Sequence, residues 1–163
     1  MDLIEKIVNE QNDIDGIIAI LENGADVNEN NDYAICYASR YGYLQIVELL
    51  LENGAYVHAE NDAALRWAAE NGRLQVVEIL FENGANVHAV DDAALRLASY
   101  SGHLQIVELL LKNGADVHAE NDAALRWAAE GGHKKVVKLL LKHGANLDVL
   151  EEVYMDRKYF EEE

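Results

Sequence analysis

Apolar and polar positions along this chain repeat one short figure. A block of strong helix formers, Ala63 to Asn71, ends at Gly72, and a second block follows with Val76, Val77, Leu80 and Phe81 at helical spacing. Gly84 closes that block, and glycine just past a helix supplies the left-handed residue that stops it. The short "ANVHA" at 85–89 then reads as an extended return. Asp62 stands where an N-cap carboxylate would accept free backbone N–H groups. The figure predicts helix, turn, helix, loop.

It recurs at a fixed interval. "NDAALRWAAE" occupies 61–70 and again 121–130, with "DDAALRLASY" at 91–100 and "NDYAICYASR" at 31–40. The full units are therefore 31–60, 61–90, 91–120 and 121–150. Helices of about two to three turns are marginal alone in water, so stacking must stabilise them. The expected fold is all-α: a solenoid of stacked helix-turn-helix units with short loops between repeats, in one domain over 1–163. Residues 1–30 are read as an N-terminal capping repeat, with Ile4, Ile7 and Val8 on one face of the first helix and Asp2, Glu5, Lys6 and Glu10 on the other. Gly16 falls inside the second helix of that repeat. Residues 151–163 are read as a C-terminal capping helix, because Lys158 and Tyr159 replace the small pair Ala128 and Ala129.

The stretch "GHLQIVELLLKNGADVHA" at 102–119 resembles the second half of an ankyrin repeat, and the likeness extends over 14–150. Two departures stand out. "AALR" (Ala63 to Arg66) replaces the family's "TPLH", and each unit is three residues shorter than the family's usual length. The thirty-residue form is similar to repeats of giant-virus ankyrin proteins. The resemblance implies a protein-interaction scaffold whose first helices line a concave binding groove. It also implies that the loop position held by Asn28, His58, His88 and His118 is one that asparaginyl hydroxylases can modify when Asn stands there.

Charge narrows the partner. Thirteen basic and thirty acidic residues leave −17, which argues against nucleic acid and anionic membrane and favours a basic protein partner. No apolar run approaches membrane-spanning length, and the first residues lack the order of a signal peptide. The single cysteine, Cys36, suits a reducing compartment, so a monomer in the cytoplasm is expected, the host cytoplasm if the chain is viral. The charge is uneven: Lys134, Lys138 and Lys142 share one helix face, a solvated surface or a basic stripe.

Candidate chemistry is thin. Histidines 58, 88 and 118 recur, but stacked units lie on the order of 10 Å apart. Ligands of one metal ion must converge at about 2 Å, so hydrogen-bonding loop histidines are expected and no metal or cofactor. Cys36 has Arg40 one turn on, which would lower its pKa, but no orienting histidine, and a buried structural thiol is expected. No catalytic motif occurs, so an enzyme is disfavoured. An adaptor that hands a host protein to another machine and a purely structural repeat remain alternatives.

Where units are otherwise copied, the positions that vary are free of packing duty. These are Tyr37/Trp67/Leu97/Trp127, Arg40/Glu70/Tyr100/Glu130, Tyr41/Asn71/Ser101/Gly131 and Tyr43/Arg73/His103/His133. Aromatic residues and arginine are the usual interface anchors. The candidate protein-binding residues are Tyr37, Arg40, Tyr41, Trp67, Glu70, Asn71, Leu97, Tyr100, Ser101, Trp127 and Glu130. The first row admits two readings, packing between helices or binding surface.

Overall fold

The structure, a computed structural model, describes residues 2–10 and 13–151. The described residues contain helices and turns and no strand. They divide into two compact units, Met1–Asn86 and Val87–Glu163. The first holds α1 (Leu3–Asn9), α2 (Ile14–Glu22), α3 (Glu29–Tyr41), α4 (Leu44–Glu52), α5 (Ala59–Glu70) and α6 (Leu74–Glu82). Within it α1, α3 and α5 pack side by side, and α2, α4 and α6 form a second layer against them. The second unit holds α7 (Ala89–Tyr100), α8 (Leu104–Lys112), α9 (Ala119–Glu130), α10 (Lys134–Lys142) and the short α11 (Asp148–Glu151). There α7, α9 and α11 adjoin in order, with α8 and α10 as the second layer.

The repeated apolar positions are the core. Leu65, Ala68, Val77 and Leu80 are buried, as are their equivalents Leu95, Ala98, Val107 and Leu110, so each helix pair closes on its own small cluster. Glycine ends the helices as expected. Gly72 has φ 74° and Gly84 φ 88°, angles that a side chain would strain. In the first repeat the buried face of α1 is Leu3 and Ile7, while Val8, expected inside, is exposed. Asp2 and Asp13 cap α1 and α2 through the Glu5 and Gly16 N–H groups, at 2.7 and 3.0 Å. The C-terminal capping helix expected over 151–163 lies outside the described residues, apart from Glu151 at the end of α11.

The segments between repeats differ from expectation. The return at 85–89 is a turn rather than an extended strand. So are 55–59 and 115–119, where the Ala59 and Ala119 N–H groups donate to the Tyr56 and Asp116 carbonyls at 3.1 and 3.2 Å. The valine of each such turn, Val57, Val87 or Val117, is buried and accounts for the β-branched signal without a strand. The next residues then run left-handed: Glu60, Asn61 and Asp62 have φ of 50°, 57° and 55°, and the right-handed helix begins only after them. Val90, Asp91 and Asp92 repeat this, as do Glu120, Asn121 and Asp122. Left-handed backbone costs L-residues about 1–2 kcal/mol each, so something must hold it.

Two side chains do so. The Arg66 guanidinium donates to the Glu60 carbonyl at 2.8 Å and the Asn61 carbonyl at 3.1 Å. Arg96 clamps Val90 and Asp91 in the same way, and Arg126 clamps Glu120 and Asn121. Asp62 is not the helix cap expected for it. Its buried carboxylate points to the loop ahead and accepts the Asn86 N–H at 2.7 Å. Asp32 takes Tyr56 N–H at 3.0 Å, Asp92 takes Asp116 N–H at 2.9 Å, and Asp122 takes Asn146 N–H at 2.8 Å. A part-buried loop N–H has no ladder partner, and this acceptor supplies one.

Removing that acceptor strands a backbone donor, so Asp92→Ala is expected to lower stability by about 2 kcal/mol, read from the denaturant midpoint. Two hydroxyls act in the opposite sense. Ser39 and Ser99 are fully buried and their Oγ atoms find no partner, whereas Ala69 and Ala129 occupy the same position in the alternate repeats. Ser99→Ala should therefore stabilise the chain by about 1 kcal/mol, seen as a higher unfolding midpoint.

Candidate functional site

The variable positions cluster toward the C-terminal halves of the first helices, and each unit has its own group. In the first unit, α3 carries Tyr33, Tyr37 and Tyr41 one helical turn apart, and Tyr43 lies in the turn beyond. The Tyr37 ring centroid is 5.9 Å from Tyr33, 4.5 Å from Tyr41 and 6.4 Å from Tyr43, and Tyr41 stacks on Tyr43 at 5.9 Å. Arg40 places its guanidinium 5.9 Å from the Tyr41 ring and 6.0 Å from the Trp67 ring of α5, joining the two helices through cation–π contacts. Tyr33 and Tyr41 are 40% and 42% exposed, so the stripe is open to solvent. Burial under its neighbours raises the Tyr37 phenol above its usual pKa, with the Tyr41, Tyr43 and Tyr33 hydroxyls adding to the effect.

The second unit has a smaller group. Tyr100, 55% exposed at the end of α7, meets the Trp127 indole of α9 edge-on at 6.3 Å. The Arg96 guanidinium lies over that indole, 5.4 Å from its ring centroid. Leu97 and Ser101 are half-buried and Glu130 is exposed. The Tyr37/Trp67/Leu97/Trp127 row is half-buried throughout, so each side chain both packs against its neighbours and shows one edge to solvent.

Some variable positions have a structural task. Asn71 donates its amide to the Trp67 carbonyl at 2.8 Å and so finishes its own helix. Arg73 donates to the Arg40 carbonyl at 3.2 Å, and its stem fills the space a Cβ on Gly42 would need. His133 approaches the Tyr100 carbonyl at 2.8 Å. Sequence reasoning passed over Tyr33, which occupies the place of Ala63, although its spacing from Tyr37 was the available signal.

The histidine row is accounted for locally. His58, His88 and His118 each set Nδ1 3.2 Å from the aspartate four residues on, Asp62, Asp92 or Asp122. Asn28, in the same position, accepts the Tyr56 N–H at 3.1 Å through its side-chain oxygen. Among the described residues no group of His, Cys, Asp and Glu is arranged to hold a metal ion.

The repeated helix pairs and their glycine stops match a known sequence model: ankyrin repeats, in three copies, over residues 6–91 and again over 88–151. The chain belongs to the ankyrin-repeat family. No curated protein matches it in sequence. Against the usual ankyrin pattern, the Arg of "AALR" now has a reason: it holds a left-handed turn. Cys36 takes that place in the unit 31–60, is buried, and has its thiol pushed up to about 11 by burial and by the Asp32 carboxylate. The cation that draws it partly back is Arg66 of the next repeat, not Arg40 as expected. Reactive thiols are exposed and of low pKa, so native Cys36 should label slowly with a soluble maleimide at neutral pH and rapidly once denaturant unfolds the chain.

Proposed function

We propose that this ankyrin-repeat protein is a binding scaffold that receives a partner protein on the exposed faces of its first helices. Ankyrin repeats generally mediate protein–protein interaction. The observation that carries the reading is the division of labour within each repeat. In the first helices the copied apolar positions, such as Ala64, Leu65 and Ala68 and their equivalents, are buried, and positions that vary gather as half-buried or exposed aromatic and charged side chains on one part of each helix. Large aromatic side chains beside arginine are what interface centres are made of. In the first unit the candidates are Tyr37, Arg40, Tyr41, Trp67, Glu70 and Asn71, to which Tyr33 is added. In the second they are Leu97, Tyr100, Ser101, Trp127 and Glu130.

The reading carries no catalytic role: the one thiol is buried and its pKa is raised, the opposite of a nucleophile. Work in a reducing, cytoplasmic setting as a monomer belongs to the same proposal, supported by that single buried cysteine. No described helix is long and apolar enough to cross a membrane. A groove-type partner leaves the exposed lysines of α10 free, and this gives the test. Once a partner is in hand, Tyr100→Ala or Trp67→Ala should weaken binding by about 2 kcal/mol while Lys138→Ala changes it little, by titration calorimetry with helical content checked by circular dichroism. Loss of binding with Lys138→Ala alone would move the interface to α10.

A further inference from the structure

The first unit combines an open aromatic stripe with an unbalanced charge. Residues 1–86 contain sixteen carboxylates against four cations, Lys6, Arg40, Arg66 and Arg73. Each of the four is engaged within the chain. Lys6 pairs with Glu10 and Asp13, so its charge is already answered. Arg66 clamps the left-handed turn of α5, and Arg73 holds the Arg40 carbonyl. Arg40 lies between Tyr41 and Trp67. The remaining carboxylates give this unit a negative field that attracts cations over a distance of about a Debye length, on the order of 8–10 Å.

The other rings of the stripe are not occupied in this way. Among the described residues, no cation of this chain sits over Tyr33, Tyr37 or Tyr43. A tyrosine face attracts a guanidinium or ammonium, and does so more strongly when the cation is partly desolvated. Arg40 shows the geometry in use at the Tyr41 end of the same stripe, where a guanidinium already lies between two rings. The second unit lacks the combination. Among its described residues the one exposed tyrosine, Tyr100, meets Trp127 edge-on, the indole is already under Arg96, and the exposed lysines of α10 lie in that unit.

We infer that the Tyr33–Tyr37–Tyr41–Tyr43 stripe of the first unit is the docking surface for a basic segment of a partner protein, whose arginine or lysine side chains stack on the open tyrosine rings while the surrounding carboxylates draw the segment in. The inference rests on the scaffold reading above and names its partner chemistry. An arginine-bearing segment fits better than a lysine-bearing one, because a planar guanidinium stacks on a ring face and is more weakly hydrated than an ammonium. Neutral apolar segments would use the rings but not the field, and acidic segments would oppose it.

The test is a random-peptide display library panned on the full chain, with the selected peptides then synthesised and titrated. The expected result is enrichment of arginine and lysine. Affinity should fall about tenfold or more in the Tyr33→Ala/Tyr41→Ala double variant, and stay unchanged in Tyr56→Ala, an exposed tyrosine of the same unit. All three proteins have the same net charge, so a general attraction of cations would not separate them. Both altered tyrosines are exposed, and circular dichroism confirms that the helices persist. Neutral or acidic peptides that lose affinity in the double variant would overturn the basic occupant and leave the first-helix interface standing. Basic peptides bound equally by all three proteins would overturn the tyrosine stripe. Peptides indifferent to these changes and to Trp67→Ala and Tyr100→Ala alike would overturn both readings, as would a failure to select any peptide.

Discussion

Each repeat depends on one buried carboxylate. A turn between stacked helix pairs leaves a backbone N–H turned inward with no ladder to join, and an unmet donor there costs about as much as a whole cap contributes. Asp32, Asp62, Asp92 and Asp122 answer it from twenty-four residues back. To reach that donor the aspartate must sit on a left-handed turn, and the turn in three of the four repeats is held by an arginine. Helix entry and loop path meet at this one contact. The histidines fit the same scheme, because each sets a ring nitrogen beside the aspartate and so restrains it from the exposed side.

The unit 31–60 departs from the others. At its entry Asn30 and Asp32 are left-handed as in its neighbours, but Cys36 replaces the clamping arginine, and Asn28, just before the unit, stands where the later repeats are preceded by a histidine. Asn28 and Asp32 both accept the Tyr56 N–H, so one donor is shared where other repeats bring a histidine to the aspartate. The same repeat carries the tyrosine stripe. The tyrosines stand where the copied devices give way, and local departures from an otherwise consistent pattern are where function tends to lie.

The architecture was legible because it rests on periodicity and on glycine. Leu65, Val77 and Leu80 announce buried faces by spacing, and Gly72 and Gly84 announce helix ends by needing positive φ. What was not legible involves contacts distant in sequence or backbone that residue type does not advertise. Nothing about Glu60 or Val90 marks a left-handed residue, so Asp62 looked like a cap and "ANVHA" like a strand. The aromatic clusters were half legible: variation between repeats pointed to Tyr37, Tyr41 and Tyr100, while Tyr33 was lost behind its small equivalent, Ala63.

The reach of these contacts bears on how such a chain could have grown. His118, Asp122, Arg126 and the Asn146 N–H, with the carbonyls that Arg126 holds, all fall within the single frame 118–147. A thirty-residue segment duplicated in that frame arrives with both halves of every such contact, and requires from its new neighbours only an apolar face to lie against. In-frame copying of this kind would leave the near-verbatim passages at 61–70 and 121–130, and the tolerance it implies extends to lengthening the array by further whole frames.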